Sequence, residues 1–186
     1  MLSKDHKKTG FTLVEALVAV SILMVAVVSP MSIAQRGLTS AIYSKDQMTA
    51  SFLVQDALEF IKNRRDQVGL SNQQNTNSVI GDWLNLDAVL KNCINMVCDV
   101  DTANSITVNG TIPPLKMVKN NDVFMYYGHP NDNSIDSRFT RTITITWPAV
   151  AGGNTDEALV DVKVSWDGGQ SVEMSDYIYN YWENLK

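Results

Sequence analysis

The chain has 186 residues with hydrophobic residues at 45% and charged residues at 19%, enough for one ordinary domain plus an appendage and outside the range of disordered or multi-span membrane chains. Its net charge of −5 makes it a poor general nucleic-acid binder, because such affinity rests on Lys and Arg neutralising phosphates. Two cysteines, Cys93 and Cys98, are too few for a tetrahedral zinc site. The average composition also hides an asymmetry, since Glu15 is the only ionisable side chain between Phe11 and Ala34.

Residues 1–10, MLSKDHKKTG, are polar and net positive, and positive charge before an apolar run holds that flank on the cytoplasmic side. Removing them takes away Lys4, Lys7, Lys8 and Asp5, leaving a more acidic remainder. Residues 11–34 follow as an apolar run which, at about 1.5 Å per residue, crosses a hydrocarbon core about 30 Å thick. Ser32-Ile33-Ala34 fits an ordinary signal-peptidase site, but two features oppose cleavage there. Glu15 places a carboxylate in the apolar run at a cost of about 2.5–3.5 kcal/mol, which calls for a partner or a function. The helical pattern also continues past Ala34, through Leu38, Ile42, Met48, Phe52, Leu53, Ala57, Leu58 and Ile61, mostly as one stripe.

One helix is therefore predicted from about Phe11 to Asp66, about 80 Å long. Pro30 predicts a kink, Gly37 a second soft point, and Val68-Gly69 a stop.

Gly10-Phe11-Thr12-Leu13-Val14-Glu15 resembles the class III signal of type IV prepilins: a short basic leader ending in Gly, then Phe, with Glu five residues after the cut. The resemblance implies cleavage between Gly10 and Phe11 by a membrane-embedded aspartic prepilin peptidase and methylation of the new Phe11 amine. It implies that Glu15 pairs with the N-terminal ammonium of a neighbouring subunit, and a buried pair of good geometry does fix register between packed helices. Further partners implied are other pilin or pseudopilin subunits, an inner-membrane assembly platform and, before assembly, membrane lipid. Residues 52–66 and Val162-Lys163-Val164-Ser165-Trp166 are similar to minor pilins of the PilV type and to type II secretion pseudopilin I.

Beyond the helix, residues 69–79 read as a polar loop, and Asp82 to Leu90 as a short helix with Asp82 as N-cap and Trp83 inward. Closing the short Cys93–Cys98 loop by a disulfide adds about 2–3 kcal/mol in an exported domain, and this reading is preferred to reduced, partly buried thiols. The spacing is wrong for a redox motif. Asp99, Asp101 and Asn104 read as an acidic turn in preference to a calcium loop, which would need D-x-D-x-D-G and a closing Glu.

Four strands are predicted, Asp122–Gly128, Phe139–Trp147, Ala158–Trp166 and Gln170–Met174, with Gly152-Gly153-Asn154 as a turn and Asp167-Gly168-Gly169 as a hairpin. Phe139, Thr142 or Ile143, Ile145 and Trp147 alternate with polar neighbours. The expected fold is α+β and type IV pilin-like, a long helix packed on an antiparallel sheet of about four strands. The expected domains are a leader at 1–10, a transmembrane and filament-core segment at 11–34, an amphipathic continuation at 35–68 and an exported head at 69–186.

Tyr177, Tyr179, Tyr181 and Trp182 read as a terminal element closing the core in preference to a binding surface. His129, beside Pro130, reads as a surface residue without a nucleophile, phosphate loop or metal-ligand partner, so no catalytic residue, metal or cofactor is assigned. The expected role is a minor pilin, anchored in the inner membrane with its head outside and then built into a surface filament. A secretion pseudopilin is the alternative, and so is a tip adhesin or DNA receptor using a basic patch of Lys116, Lys119, Arg138 and Arg141.

Overall fold

The structure is a computed structural model that describes residues 10–73, 87–120, 123–130, 134–147 and 156–180. The expected short helix at Asp82 and Trp83, the turn at Gly152-Gly153-Asn154, and Tyr181 and Trp182 lie outside the described residues. The chain divides into two compact units, Met1–Lys45 and Asp46–Lys186.

Helix α1 (Leu13–Gln73) runs from the first unit into the second. Thr12 starts it as an N-cap, its hydroxyl accepting the Glu15 N–H at 3.3 Å while its carbonyl takes the Ala16 N–H at 3.1 Å. The helix passes through Gly69 and ends at Gln73, later than the expected stop near Asp66 and inside the segment expected to be a loop. Gly69 does not take the positive φ of a C-terminal cap, and a glycine in a helix interior costs only about 1 kcal/mol.

In the first unit every described side chain is exposed. Pro30 lies within α1, and because proline lacks an N–H, the Ala26 carbonyl loses its helical donor there. Two hydroxyl groups in this stretch are satisfied by the helix itself, Ser21 donating to the Leu17 carbonyl at 2.8 Å and Ser32 to the Ser29 carbonyl at 2.9 Å.

In the second unit α1 buries Ala50, Leu53, Val54, Ala57, Leu58 and Ile61, a stripe of alternating three- and one-residue steps. Met48 and Phe52, expected on that stripe, are each 62% exposed. Phe52 points about 100° away from Leu53, and Met48, one turn before it, shares that flank of the helix.

Strands β1 (Cys98–Asp101), β2 (Ile106–Asn109), β6 (Thr140–Thr146), β7 (Glu157–Trp166) and β8 (Gln170–Tyr179) form an antiparallel sheet in the order β2-β1-β6-β7-β8. Strands β3 (Lys116–Asn120), β4 (Val123–Gly128) and β5 (Ile135–Asp136) form a second sheet, ordered β4-β3-β5. The fold is thus α+β with antiparallel sheets, but β4 belongs to a separate sheet and β1, β2, β3 and β5 add to the four strands expected. The added strands hold only two to five residues each, too few for the period-two pattern to stand out.

The β7–β8 hairpin turns at Asp167-Gly168-Gly169, where φ values of 76° and 80° at the two glycines suit a three-residue loop. β8 extends past Met174 and takes in Tyr177 and Tyr179, which are exposed; Ile178 supplies the buried contact there. The core places the α1 stripe with Ile143, Ile145, Val160, Val162 and Val164. Burying these side chains on both faces is the main stabilising term.

Packing is close at Gly128, where β4 ends. A Cβ placed there would stand 2.9 Å from Asp101 Oδ2 and 2.9 Å from the Tyr126 ring. Gly128→Ala is therefore expected to destabilise the second unit by about 1–3 kcal/mol, read as a lower thermal midpoint, whereas Gly110→Ala meets no neighbouring atom and strains only a local positive φ.

Candidate functional site

Among the described residues two places carry chemistry: the start of α1 and a charged cluster inside the second unit. At the first, Thr12 and Glu15 stand at N-cap and N3, the T-x-x-E spacing of a capping box. The short-range signal was present in the sequence beside the prepilin-like one. Glu15 is exposed in the first helical turn, where the positive end of the helix dipole favours a carboxylate. Phe11, 74% exposed, precedes the cap.

The charged cluster gathers residues read separately in the sequence. Arg141, on a buried position of β6, is completely enclosed and uses its whole guanidinium. Its Nε donates to Asp99 Oδ1 at 2.7 Å, Nη1 to Asp56 Oδ2 at 3.0 Å and the Leu53 carbonyl at 3.1 Å, and Nη2 to the Val100 carbonyl at 2.5 Å. The other Asp99 oxygen faces His129 Nε2 at 2.7 Å.

Three expectations are corrected here. His129 is not a surface residue, since its side chain is 6% exposed against a fully buried Asp99. Arg141 is not part of a basic patch; Arg138 is tied to Asp46 at 2.8 Å and Asp167 at 3.5 Å, and Lys116 Nζ donates to the Pro130 carbonyl at 3.3 Å. The alternation of β6 places Phe139, Arg141, Ile143 and Ile145 inward, so Thr142 faces outward, and a cation occupies a position that pattern reading assigns to the polar face. Nothing in a single sequence marks it, because the carboxylates that admit it lie in α1 and β1.

Asp101 does build the acidic turn. Its Oδ1 accepts the Ala103 and Asn104 N–H groups at 3.1 and 2.9 Å, and its Oδ2 accepts the His129 N–H at 2.8 Å and Asn104 Nδ2 at 3.0 Å. Burial alone would raise the Asp101 pKa, but the hydrogen bonds from Asn104, His129 and Ala103 together outweigh it and hold the carboxyl below its ordinary value. Among the described residues no group of three His, Cys, Asp or Glu is arranged to hold a metal ion.

Asp87 organises the turn that leads into Leu90–Cys93. Its Oδ1 accepts the Val89 and Leu90 N–H groups at 2.8 and 2.9 Å, and its Oδ2 meets Arg64 of α1 through Nε at 2.9 Å and Nη2 at 2.6 Å. The 3-10 turn Leu90–Cys93 follows, and a disulfide joins Cys93 to Cys98 at the start of β1, with both cysteines fully buried.

Compared with known proteins, residues 5–29 match the family described as the prokaryotic N-terminal methylation motif. No curated protein and no solved structure matches the chain. The motif is the signal of type IV pilins and pseudopilins and supports a pilin-like family. Helix α1 is long and apolar enough, by length and composition, to cross a membrane once near the N-terminus.

Removing one member of a buried ion pair typically costs about 3–5 kcal/mol, so Arg141→Leu, which takes the guanidinium from the buried Asp99, is expected to lower the thermal midpoint far more than Arg138→Leu at the half-exposed pair. For Asp101 the folded-state pKa lies below the unfolded value of about 3.9, so its stabilising contribution is complete above that pH and is lost as pH falls through the folded value. Thermal midpoints measured on the acid limb should fall less steeply for Asp101→Asn than for the native chain.

Proposed function

We propose that the chain is a minor subunit of a type IV filament, made as a precursor, cut between Gly10 and Phe11 and methylated on the Phe11 amine. The observation that carries this reading is the methylation-motif match at residues 5–29, set on a helix whose first unit exposes its apolar side chains. So much exposed apolar surface requires a covering of comparable polarity, lipid before assembly and neighbouring helices after it. In this reading residues 1–10 are the leader and stay cytoplasmic, residues 11–34 anchor the chain and later line the filament core, residues 35–68 continue the helix, and the head, 69–186, is exported.

Cleavage creates an ammonium at Phe11, one residue before the Thr12 cap. Glu15 supplies the complementary carboxylate, and its lone cost in an apolar medium is offset when a neighbouring subunit's ammonium pairs with it. That pair sets the axial register of one apolar helix against the next, a task dispersion and apolar packing do not perform alone. Pro30 would loosen the helix within the same segment. The partners are a prepilin peptidase, other pilin or pseudopilin subunits and an inner-membrane assembly platform.

The second reading is a type II secretion pseudopilin, favoured by the same motif and by the likeness of residues 52–66 to that group. Arg141 in the core and the pairing of Arg138 with Asp46 remove two of the cations that a DNA-receptor reading relied on.

Mass spectrometry of the protein recovered from membranes should find N-methylated Phe11 as the first residue. An N-terminus at Gln35 would instead mark ordinary secretion, and an intact Met1 would mark an uncleaved anchor. Glu15→Ala should leave cleavage intact while sharply reducing the subunit recovered in sheared filaments; undiminished recovery would remove the pairing role.

A further inference from the structure

Asn109 and Gly110 stand together where β2 ends, and they form the one Asn-Gly step in the sequence. β2 is an edge strand, and its ladder with β1 closes on the pair Cys98 and Asn109, so Gly110 lies just past the last rung. Both residues are exposed, Gly110 turns the chain with a φ of 80°, and no atom lies within 4 Å of the place a side chain would occupy on it. The Asn109 carboxamide has no hydrogen-bond partner among the described residues. The end of a ladder on an edge strand opens at low cost while the core stays folded.

An asparagine carboxamide is an electrophile within reach of the next residue's backbone nitrogen once the chain between them rotates. The following side chain normally hinders that approach, and glycine has none. When the Gly110 N–H loses its proton, the nitrogen attacks Asn109 Cγ. The new N–Cγ bond closes a five-membered imide, and the carboxamide nitrogen takes up a proton and leaves as ammonia. Water then opens the ring. Breaking the N–Cγ bond leaves aspartate, whereas breaking the bond from that nitrogen to the Asn109 backbone carbonyl carbon leaves isoaspartate, with the chain running through the side chain. One water enters and one ammonia departs, with no oxidant, reductant or enzyme.

Among the described residues the nearest chemical rival is Asn104-Ser105, since serine is also small, and the fold locks it. Asn104 Nδ2 donates to Asp101 Oδ2 at 3.0 Å and to Tyr126 Oη at 3.3 Å, while the Ser105 N–H donates to the Asp101 carbonyl at 2.7 Å. Both the carboxamide and the nitrogen that would attack it are therefore held in place. We propose that Asn109 is a self-modifying site, at which the folded protein converts its own side chain to aspartate and isoaspartate as it ages. Each conversion adds a negative charge at the end of β2, on the rung shared with the buried Cys98, and the isoaspartate product lengthens the backbone there. This inference stands independently of the filament reading, since it rests on the second unit alone.

The test incubates the full chain, in a nonionic detergent, in heavy-oxygen water at mildly alkaline and mildly acidic pH. The protein is then reduced and digested in ordinary water for tandem mass spectrometry, so oxygen taken up during incubation is told apart from conversion during digestion. Heavy oxygen should accumulate at Asn109, with isoaspartate among the products, and faster on the alkaline side because the attacking nitrogen must lose a proton. Asn104, on the same tryptic fragment, should stay an amide. Gly110→Ala should slow uptake at Asn109 several-fold, and denaturant should release Asn104 to react while leaving the Asn109 rate within a few-fold. Uptake at Asn104 equal to that at Asn109 in the folded chain, an unchanged rate in Gly110→Ala, or an Asn109 that stays intact until denaturant is added would overturn the proposal.

Discussion

The second unit depends on one enclosed cation. Arg141 stands where the alternation of β6 calls for an apolar side chain, and it is tolerated because acceptors from two other elements close around it: Asp56 and the Leu53 carbonyl from α1, Asp99 and the Val100 carbonyl from β1, with His129 fixing the far side of Asp99. Desolvating the guanidinium and the Asp99 carboxylate costs several kcal/mol per ion, so this arrangement is not an efficient source of stability. Its effect is on register. Apolar contacts between α1 and the sheet survive a small slide or rotation, but the directional bonds of Arg141 do not.

The consequence travels outward from Asp99. His129 follows β4, so its contact with Asp99 holds the end of the second sheet against β1 of the first. Asp101, two residues along β1, then accepts the His129 N–H and closes its own turn, which is why Gly128 has no room for a side chain. Aromatic packing continues the join, with Tyr127 edge-on to Phe139 at 6.0 Å and Phe139 tilted on Trp166 at 6.1 Å. Burial and the Asp46 carboxylate raise the Tyr127 pKa, against the opposing pull of Arg138, so its phenol stays neutral where the rings meet. Along α1 the pairs Lys62–Asp176 and Arg64–Asp87 add two further ties. The first is largely solvated and contributes little, while the second brings two guanidinium nitrogens onto a buried carboxylate.

What the sequence made legible follows from how local each signal is. The long helix, the β7–β8 hairpin with its paired glycines and the alternation of β7 are written in consecutive residues, and they appear in the structure with small changes at their ends. The short strands β1, β2, β3 and β5 were not legible, because a run such as Cys98–Asp101 is buried at every position and carries two aspartates. Those aspartates are readable only with Arg141 and His129, which lie far along the chain. The same holds for His129, whose neighbours in sequence are those of a turn and whose neighbours in space are Asp99 and Asp101. At the N-terminus the reverse is true: the motif at residues 5–29 is wholly local and needs no fold to be recognised.

That contrast also separates two kinds of surface on one helix. In the second unit α1 buries a narrow stripe and sends its charged residues to partners on the strands, as a helix does when one side meets a core in water. In the first unit apolar residues surround the axis from Leu13 to Ile33, so no single face can be satisfied by one sheet. The Ser21 and Ser32 hydroxyls turn back to the helix's own carbonyls, and Glu15 is the one ionisable side chain there, which a nonpolar surrounding does not satisfy. On the proposed filament reading, that carboxylate at the head of the helix selects for a cation at a defined height, and the ammonium exposed by the proposed cleavage before Phe11 is chemistry of that kind which a copy or relative can bring beside it.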